Sequence, residues 1–410
     1  MKRTTSSIVL CALIATTPGL AEQKVFDLRR EQSLRSHDFD VEHYRIALAI
    51  NADTQSFEGK TTISFSSLVD GLNSLALDAV SFKVENVIDD RGKDLDFTQD
   101  EGVLTIPLGR VLETNETATL AIGYAATNIG IEKNVGLDFR LKTETNPQLA
   151  NSLNWPIGAR YWFPSFDHPS DWASHETIIT TKSANRVVAN GTLVSDTVDA
   201  ESGLRTVHWR QTRPQPTYLY SFAAGPYSVI EDAHGDLPLR YWVYPGDETV
   251  AVDAFARTAE IIAYYENLYG SKFPWNKYDQ IIVPGIGGGA ESTSATLLGR
   301  RVIQYERDGK KGASDWLLAH EIAHQWWGDM IGYRDWTHAW MAESFASHGV
   351  NTCSSLMTMV PMPVPSIFLI TKTAISRKRA TASFGRSSRI SGTSRTTCLI
   401  VMATRKEVSY

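Results

Sequence analysis

Apolar residues alternate with polar or small ones from about residue 38 onward. Tyr44, Ile46, Leu48 and Ile50 fall on one side of an extended chain, and Thr62-Ile63-Ser64-Phe65 keeps the period of two. Short runs of the same kind follow at Leu75–Leu77, Val103–Ile106, Thr117–Ile122, Ile178–Thr181, Val187–Val188 and Val207–Trp209. Turn-forming clusters such as Asp89-Asp90-Arg91-Gly92 and Asn190-Gly191 punctuate them. This pattern predicts an antiparallel sandwich or saddle-shaped sheet up to about residue 230. The aromatic, proline-marked segment Ala159–Pro169 reads better as a packed turn between strands than as a substrate contact.

The period changes after about residue 245. Val252, Phe255, Ala259, Ile262, Tyr265 and Leu268 recur at three- and four-residue spacing, which predicts one helix stopped by Gly270 and Pro274. A short strand, Tyr278–Pro284, then runs into Gly285-Ile286-Gly287-Gly288-Gly289-Ala290-Glu291-Ser292. Glycines at this density let backbone approach a ligand closely, and the stretch lacks the Gly-Lys-Ser/Thr ending of a phosphate loop. Further on, Trp316, Leu317, Ile322 and Trp326 form a helical stripe with Ser314 or Asp315 as its cap.

That helix carries His320-Glu321-Ile322-Ala323-His324. Residues four apart share a helix face, so the two imidazoles can grip one metal ion, with Glu321 beside an open coordination position. This is the zinc-metallohydrolase pattern. Glu343 follows His324 after eighteen intervening residues, in a second apolar segment. The competing reading is a pair of core histidines satisfied by backbone. Gly288, Gly289, Ala290 and Glu291, shortly before the histidines, are candidates for a substrate-binding edge.

Composition narrows the class. The 410 residues are 42% apolar and 21% charged, as in a globular protein with room for two or three domains. The net charge of −6 is unevenly spread: the body from 22 to 350 is strongly acidic and the last sixty residues are basic. An acidic body argues against nucleic acid as partner and suits cationic groups such as a peptide's amino terminus. Lys2 and Arg3, the apolar run Ile8–Ala15 and Gly19-Leu20-Ala21 read as a signal peptide, with a buried first helix as the alternative. Cys11, Cys353 and Cys398 leave the body from 22 to 350 without a thiolate ligand or a disulfide. No second stretch is long enough for a membrane anchor, so a soluble, secreted or periplasmic protein is expected.

These motifs together resemble the zinc aminopeptidase family that includes aminopeptidase N, within the gluzincins. HEIAHQWWGD and WMAESFASH resemble the family's zinc helix and third-ligand helix, and Gly288–Ser292 resembles its Gly-x-Met-Glu-Asn exopeptidase loop. Tyr265–Gly270 through Pro284 resembles the lead into that loop. ARYWFPSFDHP and Pro216–Gly225 resemble stretches of its amino-terminal β-domain. The resemblance covers about residues 38 to 350. It implies an α+β multidomain chain: an antiparallel β-rich saddle or sandwich domain (22–235, after a 1–21 signal peptide), then a partial thermolysin-like α/β zinc-peptidase domain (236–350). It also implies one Zn2+ held by His320, His324 and Glu343, and Glu321 as general base for attack by a metal-activated water. Glu291, in the loop Gly288–Glu291, would pair with the free amino terminus of a peptide substrate.

Three departures stand out. Ala290 and Ser292 replace the family's methionine and asparagine. The Gln or Glu that the family offers from its β-domain has Asn154 as nearest counterpart. After Val350 the resemblance stops: residues 351–410 hold nineteen Ser/Thr, nine Lys/Arg and one acidic residue. Such a composition reads as a disordered basic tail, but a reading-frame slip near Asn351 fits better, because a shifted frame through the last ten residues can yield YGYKKGGLV, similar to the family's segment past its catalytic tyrosine. The expectation is a zinc aminopeptidase impaired by truncation, lacking that tyrosine. The rivals are a zinc endopeptidase of the same clan and a non-catalytic zinc- or peptide-binding remnant.

Overall fold

The computed structural model describes residues 38–127 and 135–357. The expected signal peptide and nearly all of the basic tail, with Cys11 and Cys398, lie outside them.

The β-rich half is built on a seven-stranded sheet in the order Thr192–Asp199, Leu204–Gln215, Ala173–Lys182, Phe39–Asn51, Ser56–Ser67, Thr117–Ala126, Lys83–Asp89. A four-stranded sheet (Arg186–Ala189, Phe222–Gly225, Leu149–Leu153, Gly136–Arg140) and a three-stranded one (Leu72–Asp78, Val103–Leu112, Thr98–Asp100) share its core. The alternation does what the sequence predicts: Tyr44, Ile46, Leu48 and Ile50 all point inward. Strand direction is another matter. Phe39–Asn51 runs parallel to Ala173–Lys182, so the sheet is mixed rather than antiparallel throughout. A period of two reports which face is buried and carries no information on direction.

The Ala159–Pro169 segment is a packed turn at the centre of this core. Trp162, Phe163 and Phe166 are buried, and Arg160 is buried with them because Asp167 accepts from its Nε at 2.9 Å. Phe163 packs on Tyr44, Trp162 and Tyr220 with ring centroids 5.6, 4.5 and 6.0 Å away. Phe163→Ala is expected to cost about 3–5 kcal/mol through the cavity it leaves. Urea unfolding of the two chains measures this directly.

The second half is organised on a five-stranded sheet: Ser228–His234, Leu237–Val243, Tyr278–Val283, Ala295–Gly299, Gly289–Ala290. Its first hairpin runs from Ser228 to Val243 and turns between His234 and Leu237. The single helix expected from Val252 to Leu268 is two, Glu248–Ala254 and Thr258–Tyr269. The break follows tertiary contacts: Phe255 leaves the helix to stack on Tyr241 at 4.7 Å, and Arg257 pairs with Glu260 and Asp315. Val252 and Leu268, which periodicity assigns to the buried stripe, are exposed.

Two further helices carry the histidines (Asp315–His324) and the distant carboxylate (Trp340–Met357), and they pack against each other. The second continues past Val350, where the family resemblance was seen to end. No helix among the described residues is long and apolar enough to cross a membrane.

Candidate metal centre

The histidine helix is held by burial of Leu317, Leu318, Ala319, Ile322 and Ala323, and by Tyr265, whose hydroxyl donates to the Ala319 carbonyl at 3.0 Å. Ser314 stands at its N-cap without a side-chain cap bond, and Asp315 in the first turn instead meets Arg257. Trp316 lies outside the buried stripe. The helix ends where the chain turns through Gln325–Ile331. There Gly328, at a left-handed φ of 122°, lets the second helix come close: a Cβ on it would lie 3.1 Å from the Ala342 Cβ and 3.3 Å from His324 Nδ1. Trp327 then stacks on Phe345 at 4.4 Å. Asp335 accepts from the Thr337 amide at 2.9 Å and sets the short turn before Trp340. Glu343 is thereby carried to the histidines.

His320, His324 and Glu343 offer three ligand atoms within 4.8 Å of one another. The two Nε2 atoms are 3.0 Å apart, and Glu343 Oε2 lies 3.4 Å from His320 Nε2 and 3.8 Å from His324 Nε2. A tetrahedral cation with ligand bonds near 2 Å needs ligands about 3.3 Å apart, so these separations bracket the requirement. The tautomer fits as well. A carbonyl is acceptor-only, so His324 Nδ1 donates to Trp327 O at 2.9 Å and leaves the lone pair on Nε2, facing the group. Burial pushes the pKa of both imidazoles below the usual histidine value, which favours the neutral, ligating form. His324 is enclosed, while the Glu343 side chain keeps 44% of its surface exposed, so the group is approached from that side.

Two more carboxylates face this group. Glu321 is buried against Gly289, where a Cβ would overlap its carboxyl; only glycine lets the loop strand pass so close. Burial raises the Glu321 pKa well above the ordinary range, and the charges of Glu291 and Glu343 raise it further. Glu291 is also buried; desolvation, then the charge of Glu343, push it up to about 7. Burial alone would raise Glu343 too, but the hydrogen bond from His320 and both imidazoles hold it low. Crowded carboxylates of this kind are relieved by arriving positive charge.

Gly289–Ala290 forms the sheet's last strand, paired antiparallel with Leu297–Leu298, and delivers Glu291 next to the histidine helix. Gly288 contributes its carbonyl to the Gly299 amide at 2.8 Å. The structure thus brings together His320, His324, Glu343, Glu321 and the Gly288–Glu291 loop. Asn154 is engaged elsewhere: it accepts from Trp162 Nε1 at 2.8 Å and donates to the Thr217 carbonyl at 3.0 Å, inside the β-rich half. Gln325, Asn190 and Asp329 are buried around the site and were not legible as site residues in the sequence. Gln325, directly after the second histidine, offered the one local hint.

Comparison with known proteins agrees with this geometry. The Peptidase M1 N-terminal domain profile matches residues 40–219, and the Peptidase family M1 domain profile matches 253–384, past Val350. Aminopeptidase N of Acetobacter pasteurianus is 24% identical over 356 residues, covering 85% of this chain and 99% of that protein. Aminopeptidase 2 of Candida albicans is 25% identical over 316 residues, 74% of this chain and 34% of the relative. Puromycin-sensitive aminopeptidase of Caenorhabditis elegans is 24% identical over 318 residues, 74% of this chain and 33% of the relative. The chain spans about a third of the length of the last two. With both domain profiles matched in order and His320, His324 and Glu343 inside the second, the chain belongs to the M1 peptidase family.

Proposed function

We propose that the chain is a zinc-dependent aminopeptidase, hydrolysing single residues from the free amino terminus of peptides. The observation that carries this reading is the convergence of three metal-ligating side chains with two further buried carboxylates, Glu321 and Glu291. His320, His324 and Glu343 would hold one zinc ion, which supplies Lewis-acid polarisation of the scissile carbonyl and a lowered pKa for a bound water. Glu321, beside the ligands, takes the proton from the attacking water and delivers it to the leaving amine. Burial raises its pKa above the ordinary carboxylate range, which makes its carboxylate a stronger base toward that water. Glu291 pairs with the substrate's α-ammonium. A carboxylate at that place fixes the amino terminus one residue from the scissile bond, which limits cleavage to exopeptidase register. The three acidic side chains, Glu291, Glu321 and Glu343, favour cations over neutral ligands. We further propose that residues 1–21 direct the protein to the periplasm or outside the cell.

The test pairs zinc analysis with hydrolysis of leucine p-nitroanilide and its N-acetyl derivative. One zinc per chain and preference for the free amine are expected. Glu291→Ala should lower cleavage of the free-amine substrate by about 10- to 100-fold, the scale of a charged hydrogen bond, and leave the blocked one unchanged. A chain that prefers the blocked substrate would be an endopeptidase instead. Zinc content with no turnover of either would point to a non-catalytic binding role.

A further inference from the structure

In the segment Glu291–Ser294, which follows the glycine loop, all four backbone carbonyls and the Ser294 amide are hydrogen-bonded. Gln325, the residue after the second histidine, is fully buried and spans it: Nε2 donates to the Glu291 carbonyl at 2.8 Å, and Oε1 accepts from the Ser294 amide at 2.8 Å. Gln325 is itself pinned, since Trp275 Nε1 donates to its carbonyl at 3.1 Å. From the other side comes Asn190, in the β-rich half. Its Nδ2 donates to the Thr293 carbonyl at 2.7 Å and to Leu219 O at 3.0 Å, while its Oδ1 accepts from the Ser221 amide at 2.7 Å. The neighbouring Gly191 amide donates to Ser294 Oγ at 2.9 Å, and Lys277 Nζ donates to the Ser294 carbonyl at 3.1 Å.

This fastening holds an unfavourable backbone. Ser294 sits at a φ of 59°, a left-handed conformation that costs a non-glycine residue energy and persists only where its surroundings over-determine it. Left to itself, the segment would relax, and the Glu291 side chain at its head would move relative to the histidine helix. Backbone ties add to these, from the Ala295 amide to the Ser292 carbonyl at 2.9 Å and from the Asp279 amide to the Ser294 carbonyl at 3.0 Å, while Gly285 and Gly287–Gly289 before the segment supply little stiffness of their own.

We propose that Gln325 and Asn190 are positioning residues that set the distance between the Glu291 carboxylate and the ligand triad, and so the register in which a substrate's amino terminus is held. This rests on the reading of Glu291 as the amine-binding group. Gln325 ties the register to the metal helix itself, because it follows His324 without a gap. Asn190 makes the β-rich half a contributor to the geometry of the site, although it offers no atom to metal or substrate. Neither residue touches a reacting group; both act through Glu291.

The zinc-loaded full chain can be titrated calorimetrically with leucine hydroxamate and with 4-methylpentanohydroxamate, the same molecule without its amine. The ratio of the two affinities reads the amine grip alone, and zinc content reads the ligand triad. Gln325→Ala, its shape-preserving partner Gln325→Met, and Asn190→Ala are each expected to cut that ratio by roughly 10-fold while one zinc per chain is retained. In a Glu291→Ala background none of the three should change the ratio further, as required of residues acting through Glu291. An unchanged ratio in all three variants, with Glu291→Ala still abolishing it, would overturn the proposal. So would an equal loss of both affinities together with zinc, which is what a merely structural role predicts. A wild-type ratio of about one that Glu291→Ala leaves untouched would instead refute the amine-binding reading on which the proposal stands.

Discussion

A His324→Ala chain is expected to carry no stoichiometric metal. His324 is the most enclosed of the three ligands, and its tautomer is set by the bond from Nδ1 to the Trp327 carbonyl. Removing it leaves His320 and a half-exposed Glu343, two donors on one side of the ion, where a tetrahedral site takes three protein ligands and a water. Loss of an outer hydrogen-bond partner typically costs 10–100-fold in metal affinity, so loss of a ligand should exceed about 100-fold. Metal analysis by atomic emission after zinc loading and gel filtration reads this, with circular dichroism to confirm the fold. His338→Ala is the control: His338 is bonded to Asp335 outside the ligand group and should leave metal content unchanged. One zinc per chain in the His324 variant would remove the basis for assigning the triad.

Glu321→Gln is expected to separate metal binding from turnover. The substitution preserves shape where shape is constrained, since Gly289 lies against the carboxyl and leaves no room for a larger side chain. It removes the ability to accept a proton, a contribution of about 10²–10⁴-fold to rate. Zinc content and hydroxamate affinity should persist while hydrolysis of leucine p-nitroanilide falls by that factor. A variant that retains turnover within about 3-fold of the parent would show that Glu321 is not the base.

That two imidazoles lie side by side was legible in the sequence because helical geometry is local: His320 and His324 sit one turn apart whatever surrounds them. The inward sides of Phe39–Asn51 and Ser56–Ser67 were legible for the same reason. What failed to show depends on distant partners. The parallel pairing of Phe39–Asn51 with Ala173–Lys182 joins strands more than a hundred residues apart. The break between Ala254 and Thr258 follows from Phe255 meeting Tyr241, which periodicity cannot anticipate. Beyond the place of Gln325 directly after the second histidine, Gln325 and Asn190 carry no local signal, because a buried amide is defined by the backbone atoms it finds. Asn190 in particular reads as an ordinary turn residue beside Gly191, and its tie to Thr293 spans about a quarter of the chain.

Gly328 bears on how such a site can drift as its sequence changes. The gap between the helix that brings two nitrogens and the helix that brings the oxygen is bridged at a point where a single hydrogen atom fits and a methyl group crowds both Ala342 and His324. Selection on ligand spacing therefore falls on a residue with no chemistry of its own. A side chain there would need Ala342 and His324 to give way by a few tenths of an ångström, on a backbone whose φ of 122° itself disfavours one. Such a position has almost no neutral neighbours in sequence space, so a survey of tolerated variants should find it as intolerant as the ligands themselves.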